Sequence, residues 1–478
     1  MTQLKVNLRE NESFLTHVYE SQHASSSKRK YYALASYLKL IDASPRAVQS
    51  TACIGGVTMH DRSHVSNNYR VQNAYYEKDI HYVLQVCQWF LKPIGIWPLI
   101  YNYTSKRERL LSAALIIMCF FALCFIVVPS SYYVLFEEKN INVRIKLLGP
   151  IGFGVISIIK YCSLGLKGPA FGRCIKHIQN DWKMLEEEHR TIMIKHVAIG
   201  RNLTTLCAIF MYTGGLSYHT AVPLLSNKKI SGNITFRPLS YPGYDVFLDS
   251  QSSPTYEILF CTHCLYALIT YNITTAECSL AAIFTTHACG QIQIQMTRLE
   301  DLIERKNFKG KSFNDSLAII VRDHVEILRF SRNLEEVLRE ICLMEIVAST
   351  LLLCIVEYYY VIYFLIMIIN INEWNNSDAI AISTYCTLFI SFTFNILIFC
   401  YIGELLAEQA IKIGTTSYEI EWYKLPEKKA LDLILLMAVS RYPCKLTAGR
   451  MFDLSLKTFG VLKSSFMYLN MLRTVTEW

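Results

Sequence analysis

Charged residues are scarce in this sequence. Only 18% of its 478 residues are Asp, Glu, Lys or Arg, whereas 52% are hydrophobic and the mean hydropathy is +0.25. Because soluble domains usually contain about 25% charged residues, this balance indicates a protein with several membrane-spanning segments. The net charge of +8 then belongs to loops beside a membrane, and we expect no nucleic-acid partner.

Short motifs of common catalytic sites are also missing. There is no HExxH zinc pair and no GxSxG nucleophile turn, and the glycine cluster GPIGFG lies inside an apolar run. The string CTHC at Cys261 to Cys264 has no second cysteine pair, so we interpret it as helix packing. Glu277 and Glu357 lie in apolar runs, but nothing in the sequence brings them together. We expect no enzyme activity, no metal and no cofactor.

Apolar runs long enough to cross a bilayer are present seven times. A spanning helix needs roughly 20 mostly apolar residues to cross a hydrocarbon core of about 30 Å. The predicted spans are Leu110 to Leu135, Ile145 to Leu166, His196 to His219, Tyr256 to Ala282, Ile346 to Ile369, Ala379 to Ile402 and Phe452 to Leu472. The fourth and seventh contain the most polar groups, so we expect these two to face protein or water.

Lysine and arginine collect in alternate loops. They are frequent before the first span and in the second-to-third, fourth-to-fifth and sixth-to-seventh loops, while the other loops carry only Lys139, Arg144, Lys228, Lys229 and Arg237. By the positive-inside rule, the N-terminus is cytoplasmic and the C-terminus is extracellular. None of the 16 cysteines falls in the predicted outer loops, so we expect no extracellular disulfide framework.

The inner loops carry a second pattern. Apolar residues recur at helical spacing from Leu317 to Ile341 with charged residues between them, which predicts an amphipathic helix that continues into the fifth span. The polar faces of the inner helices carry both signs of charge, so we interpret these helices as an intracellular association domain, and the alternative is that they lie on the membrane surface. They cover about residues 170–195, 290–345 and 404–450.

The C-terminal third resembles the insect odorant receptors. The resemblance lies in Gly403 and Glu404 after the sixth span and in the strings LLMAVSRYP, LTAG, SLKTF and LKSSFMYLNMLR. The string WFLKPIGIWPL before the first span is similar to that family as well. The chain is therefore interpreted as an N-terminal extension, residues 1–74, predicted to be disordered, and a receptor domain, residues 75–478.

This resemblance implies an all-α membrane protein with seven transmembrane helices, a cytoplasmic N-terminus, an extracellular C-terminus and an intracellular anchor region. It also implies a tuning subunit of a ligand-gated, non-selective cation channel, assembled as a heterotetramer with a co-receptor in the plasma membrane of a sensory-neuron dendrite. Its partners would be a small volatile organic ligand, the co-receptor, the lipid bilayer and permeant cations. The alternatives are a receptor that signals mainly through another protein and a gustatory-type receptor.

In this family, odorants bind within the outer halves of the second, third, fourth and sixth helices. The residues that these halves offer are mostly apolar with a few hydroxyls, which suits a small volatile of low polarity. The predicted ligand-binding residues are Leu148, Ile151, Met211, Tyr212, Gly215, Phe260, His263, Tyr266, Thr384, Tyr385 and Leu388. The alternative for each of them is ordinary packing inside the bundle.

The seventh span, about residues 452–474, lines the pore in this family. Small and apolar residues recur there at spacings of four, three, four and three, which places them in one stripe that can face a pore. This stripe is Gly460, Ser464, Met467, Met471 and Thr474, and by the resemblance Met471 falls near the hydrophobic constriction. The alternative is that the polar groups of this span form hydrogen bonds between packed helices.

Overall fold

The computed structural model describes residues 73–101, 105–225, 229–231, 234–237, 239–244, 249–304, 313–369, 376–419, 427–441 and 443–462. The extension that was predicted to be disordered lies outside these stretches except for Asn73 and Ala74. Residues 463–478, which include most of the predicted pore stripe, also lie outside them.

Helices make up most of the described chain. They are α1 Tyr76–Leu91, α2 Trp97–Ile100, α3 Lys106–Tyr132, α4 Ile141–Leu166, α5 Gly168–Lys183, α6 Glu187–Leu216, α7 Val222–Leu225, α8 Thr255–Glu304, α9 Phe313–Ile369, α10 Asn376–Glu419 and α11 Glu427–Ser440. Residues 456–462 are also helical and begin the seventh predicted span. Two short antiparallel pairs complete the described structure: β1 Lys229–Ser231 with β2 Ile234–Phe236, and β3 Thr447–Ala448 with β4 Phe452–Asp453.

Local sequence explains where the first spanning helix begins and ends. Ser105 caps α3 by accepting a hydrogen bond from the backbone N–H of Glu108, whose carboxylate in turn accepts from the Ser105 backbone N–H at 2.9 Å. This reciprocal pair satisfies two donors that a helix N-terminus leaves free. Near the other end, Pro129 removes one helical donor, and the helix finishes in a π-helical turn, Tyr133–Glu137.

Five of the described helical segments are long and apolar enough to cross a membrane. They are Lys106–Glu137, Val143–Leu166, Thr255–Leu302, Asp315–Ile362 and Ile382–Glu419, which contain the first, second, fourth, fifth and sixth predicted spans in whole or in large part. The third predicted span lies mainly in α6, which is helical but less apolar and does not count among the five. One face of α6 is buried, with Val197, Thr204 and Met211, while Leu206 and Ile209 on another face are exposed.

Three helices are much longer than a bilayer is thick. α8, α9 and α10 contain 50, 57 and 44 residues, which corresponds to roughly 65 to 85 Å of helix against a hydrocarbon core of about 30 Å. Each one therefore projects from the membrane. The amphipathic run that begins at Leu317 and the fifth span form one continuous helix, α9, as the sequence predicts.

α8 is the central helix of the bundle. Every residue from Ile273 to Gly290 is buried, so this stretch is covered by protein on all sides. It packs most extensively against α6, and also contacts α10, α9, α1, α3 and α4. Thr274, Thr275 and Glu277 of the fourth span thus face protein, as expected from their cost in lipid, whereas Asn272 is half-buried.

The end of the bundle that contains α5 is the one predicted to be cytoplasmic, and we call it the inner end. Ion pairs join different helices there: Arg298 of α8 contacts Asp323 of α9 at 2.9 Å, and Lys167, next to α5, contacts Glu340 of α9 at 2.7 Å. Burial alone would raise the pKa of Glu335, but hydrogen bonds from Arg339 and Thr447 outweigh burial and lower that pKa. Charges of both signs therefore stabilise the inner end.

The β3–β4 hairpin lies at the same end. The seventh span was predicted to begin at Phe452, but Phe452 and Asp453 form β4 and the helix begins at residue 456. Gly449 and Arg450 have φ values of +62° and +61°, a conformation that suits glycine and that turns the chain sharply. The backbone N–H of Gly449 donates to the carbonyl of Arg339 at 3.1 Å. This contact fixes the start of the seventh predicted span against α9.

Candidate functional site

A cavity lies in the outer half of the bundle, opposite the inner end. Its volume is about 60 Å³. The envelope around it measures about 660 Å³, which includes open solvent. Its wall is formed by Lys146, Gly149, Pro150 and Phe153 of α4; Met211, Gly215, Tyr218 and His219 at the end of α6; Tyr241; Tyr271 of α8; Leu352, Ile355, Val356 and Tyr359 of α9; and Tyr385, Leu388, Ser391 and Phe392 of α10. The wall is mostly apolar and aromatic, which is typical of sites for small organic molecules.

Two neighbouring glycines allow α6 to approach the cavity closely. A Cβ on Gly214 would lie 2.2 Å from the hydroxyl of Ser391 on α10, and a Cβ on Gly215 would lie 1.8 Å from the ring of Tyr271 on α8. Both separations are far below a van der Waals contact. The absent side chains therefore let α8 and α10 press against α6 where these helices line the cavity.

His219 connects three parts of the cavity wall. It lies in a π-helical turn, Ser217–Ala221, that ends the helix α6. Its Nδ1 lies 2.9 Å from the carbonyl oxygen of Gly215 and 3.2 Å from the hydroxyl of Tyr271, and its Nε2 lies 3.2 Å from the hydroxyl of Tyr241. The imidazole is 3% exposed. A polar group buried at this depth needs such partners, because an unpaired one is costly.

The segment between β2 and α8 covers the outer side of this aromatic cluster. Ser130 of α3 donates a hydrogen bond to the carbonyl of Pro242 at 3.0 Å. Gly243 has a φ of +107°, and a Cβ there would lie 2.7 Å from the carbonyl oxygen of Pro129. Backbone therefore packs directly on backbone at the end of α3, and this contact holds Tyr241, which is 1% exposed, in the cavity wall.

Four of the eleven predicted ligand-binding residues line the cavity, and three of the other seven lie close to it. The four are Met211, Gly215, Tyr385 and Leu388. Tyr212 packs edge-on against Tyr271, and His263 and Tyr266 pack around Tyr241, without reaching the cavity wall.

The remaining four have other surroundings. Ile151 and Thr384 are buried elsewhere in the bundle, where the hydroxyl of Thr384 donates to the carbonyl of Ile380 at 2.8 Å. Leu148 is 56% exposed on the outside of α4, and Phe260 is half-buried on α8. Helix membership was therefore easier to predict than the face that each helix turns toward the cavity.

Sequence reasoning missed the contribution of α9. Leu352, Ile355, Val356 and Tyr359 line the cavity, although the fifth span was not among the helices that the resemblance implied. His219 and Tyr271 were not predicted either, although both are polar aromatic residues within predicted spans. His219 also follows shortly after the pair Gly214 and Gly215.

A second buried polar cluster lies deeper in the bundle. Lys160 of α4 forms ion pairs with Glu345 of α9 and, at 3.6 Å, with Glu277 of α8. Asn395 of α10 donates to Glu345 and, at 3.1 Å, to the hydroxyl of Ser349. All five side chains are almost fully buried. We call these residues the Lys160 cluster. Ionisable groups at membrane depth are rare because they are expensive, so they mark functional elements.

The glutamates and the CTHC cysteines of the apolar runs have different surroundings. Glu277 contacts Lys160, while Glu357 is half-buried farther along α9. Cys261 and Cys264 are free thiols, as is every other cysteine in the described stretches. No group of three or more His, Cys, Asp or Glu side chains within those stretches is arranged to hold a metal ion.

Of the predicted pore stripe, only Gly460 lies in the described part of the chain. It belongs to the helical residues 456–462, and a Cβ there would have no neighbour within 4 Å. Ser464, Met467, Met471 and Thr474 lie outside the described residues.

Solved structures show the same fold. The insect olfactory receptor OR5 from Machilis hrabei, in complex with eugenol, superposes with a TM-score of 0.66 at 14% identity, covering 84% of this chain and 100% of that chain. A second structure of OR5 gives a TM-score of 0.64 at 14% identity, with 83% and 98% covered.

Known sequences identify the family. Odorant receptor 10 of Aedes albopictus is 23% identical over 300 residues, which cover 60% of this chain and 68% of that protein. Odorant receptor 13a of Drosophila melanogaster is 23% identical over 433 residues, which cover 84% and 97%. A family model described as 7tm Odorant receptor matches residues 140–466, more than half of the chain. The chain therefore belongs to the odorant receptor family and is a multi-pass membrane protein with a mainly helical fold.

Proposed function

We propose that this odorant receptor is the tuning subunit of an odorant-gated, non-selective cation channel. A small volatile molecule binds in the cavity, and the pore opens between this subunit and co-receptor subunits in a heterotetramer. The protein works in the plasma membrane of a sensory-neuron dendrite, with its N-terminus in the cytoplasm and its C-terminus outside. The observation that carries the proposal is the apolar, aromatic cavity in the outer half of a bundle that belongs to this family.

The dimensions of the cavity support a small ligand. The cavity volume of about 60 Å³ is well above the ~10–15 Å³ that a single water molecule needs. The envelope of about 660 Å³ includes open solvent, so it is only an upper limit to the space that a ligand can fill. A ligand of a few to about a dozen heavy atoms needs a volume between that of the cavity and that of its envelope.

The inner end is proposed as the anchor where subunits meet, with helices at about residues 170–195, 290–345 and 404–450. Its internal ion pairs, such as Arg298 with Asp323, support a folded domain and not a set of helices spread on lipid. The seventh span, with Gly460, Ser464, Met467, Met471 and Thr474 on one face, is proposed to line the pore.

The deciding experiment records current from cells that express this chain together with a co-receptor. Outside-out patches without GTP or ATP are exposed to a broad panel of volatile compounds in fast solution exchange. Current that starts within milliseconds and reverses near 0 mV in mixed monovalent cations supports a ligand-gated channel. Responses that appear only in intact cells, with a delay of seconds, would instead support signalling through another protein.

Two variants test the position of the binding site. Tyr385 lines the cavity, where its ring stacks on Tyr359 at 5.9 Å, so Tyr385→Ala should change the ranking of active compounds. Ile151→Ala is a matched control, because Ile151 is equally buried but lies off the cavity wall. Surface labelling checks that both variants reach the membrane. The cavity is not the site if the ranking is the same in wild type and Tyr385→Ala.

A cysteine scan tests the pore. Single cysteines from Gly460 to Thr474 are exposed to a water-borne thiol reagent during activation. Block that recurs at spacings of four and three supports a pore-lining stripe, whereas protection of every position means that this span is packed in protein.

A tag placed after Trp478 should be labelled on intact cells, and a tag before Tyr75 should not; the reverse pattern contradicts the orientation.

A further inference from the structure

The hydrogen-bonding state of His219 can be worked out from its neighbours. Nδ1 lies 2.9 Å from the carbonyl oxygen of Gly215, and a carbonyl oxygen can only accept. Nδ1 must therefore carry the hydrogen, because the other tautomer would set two lone pairs against each other. In the neutral ring Nε2 is then the acceptor, and the hydroxyl of Tyr241, 3.2 Å away, donates to it.

This assignment leaves the hydroxyl proton of Tyr271 without a partner. Tyr271 Oη lies 3.2 Å from the same Nδ1, and since that nitrogen already holds a hydrogen, the hydroxyl can only accept from it. Among the described residues the structure gives this hydroxyl no second partner. The side chain is 4% exposed and lines the cavity, so the unused proton is available to whatever occupies the cavity.

We propose that the ligand carries an oxygen that accepts a hydrogen bond from Tyr271, which restricts it to small volatiles with a carbonyl, ether or hydroxyl oxygen. A hydrocarbon would fill the apolar part of the cavity but would leave a buried donor unpaired, and that loss is costly. Gly215 makes room for Tyr271, because the ring of Tyr271 occupies the space where a Cβ on residue 215 would lie. The inference rests on the proposed function, since it names the ligand class of the same cavity.

The test compares pairs of compounds with nearly the same shape. Acetophenone is paired with isopropenylbenzene, and anisole with ethylbenzene, so that each pair differs in one accepting oxygen. Concentration–response curves are recorded from the full-length chain with its co-receptor, alongside the broad odorant panel. In wild type the oxygen-containing member of a pair should be about tenfold more potent, the effect of one neutral hydrogen bond.

Tyr271→Phe keeps the ring in place beside Gly215 and removes only the hydroxyl. It should lower the potency of the oxygen-containing member, which loses its donor, and raise that of the hydrocarbon, which no longer leaves a donor unpaired. The roughly tenfold difference within each pair should therefore disappear. Tyr244→Phe is the matched control: Tyr244 is a buried tyrosine of the outer half that does not line the cavity. This control should keep the difference.

Three results would overturn the inference. They are equal potency of the two members in wild type, a difference that persists in Tyr271→Phe, and activation by panel compounds that all lack an accepting oxygen. In each of these cases the receptor still responds to volatiles, so the proposed function stands. If no compound in the panel drives current or raises the melting temperature of the purified receptor, the proposed function itself fails and the inference fails with it.

Discussion

Removal of the positive charge from the Lys160 cluster should strongly destabilise the receptor. Lys160 is the cation that lies between Glu277 and Glu345, and all three side chains are at most 2% exposed. With every group in its usual ionised form, the charges sum to +1 − 2 = −1. Lys160→Met would leave two buried carboxylates and no cation beside them. Glu345 would keep its contacts with Asn395 and Ser349, but Glu277 would have no hydrogen-bond partner among the described residues.

The size of the effect follows from the geometry. At 3.6 Å and an effective dielectric constant of ~20, the attraction between Lys160 and Glu277 is about 5 kcal/mol before desolvation is counted. Breaking a buried ion pair by removing one partner typically costs about 3–5 kcal/mol. Glu277→Gln has the opposite character, because it leaves Lys160 paired with Glu345 and brings the sum of charges to zero. We expect its stability to be within about 1 kcal/mol of wild type, or higher.

Thermal stability of the purified receptor, read by size-exclusion chromatography after heating, measures these differences. The melting temperature of Glu277→Gln should equal or exceed that of wild type. The melting temperature of Lys160→Met should be many degrees lower. A triple variant, Lys160→Met with Glu277→Gln and Glu345→Gln, should recover part of the loss because no charge remains buried. Equal melting of Lys160→Met and wild type would refute the argument, and so would a Glu277→Gln variant that is as unstable as Lys160→Met.

Three other predictions concern stability and packing. Burial lowers the pKa of His324 from 6.5 to about 4. Because the unfolded chain binds the proton first, stability should fall by about 3 kcal/mol as the pH drops from 6.5 to 4. The melting temperature of wild type should therefore fall more across this range than that of His324→Gln, which has no imidazole to protonate. Gly215→Ala should abolish ligand responses or surface expression, because the new Cβ would collide with the ring across it, whereas Gly152→Ala, with nothing within 4 Å, should behave as wild type. Asp79→Asn should cost about 2 kcal/mol by weakening the paired hydrogen bonds from Arg190 at 2.6 and 2.7 Å to a carboxylate that is 2% exposed; an unchanged melting temperature would contradict this.

The sequence was sufficient for the class of fold because length and apolarity decide whether a helix spans a membrane. The run from Leu317 to Ile341 was expected to continue into the fifth span, and α9 is indeed one helix. The fourth span was expected to face protein, and its inner part, from Ile273, is buried throughout, whereas Ile258, Leu265 and Leu268 in its outer part are exposed. These properties are local, since they depend on which residues follow one another along the chain.

The candidate site was harder to predict because it depends on rotation and spacing of helices. Met211 and Gly215 line the cavity while Tyr212, between them in sequence, does not. Which face of α6 turns inward is decided by Gly214 and Gly215, which admit side chains from two other helices. The Lys160 cluster joins residues 185 positions apart in sequence, and no periodicity within one helix reveals such a pairing.

The length of α8 has a mechanical consequence. This helix runs without proline from the cavity to the inner end, and proline is the commonest cause of a sharp kink in a helix. Glu304 lies 33 residues beyond Tyr271, about 50 Å along the axis. As a stiff lever of that length, α8 would convert a tilt of about 2° at the cavity into a displacement of about 2 Å at its far end. A molecule of a few heavy atoms, too small to push helices far apart, could in this way move distant parts of the subunit by the width of an atom.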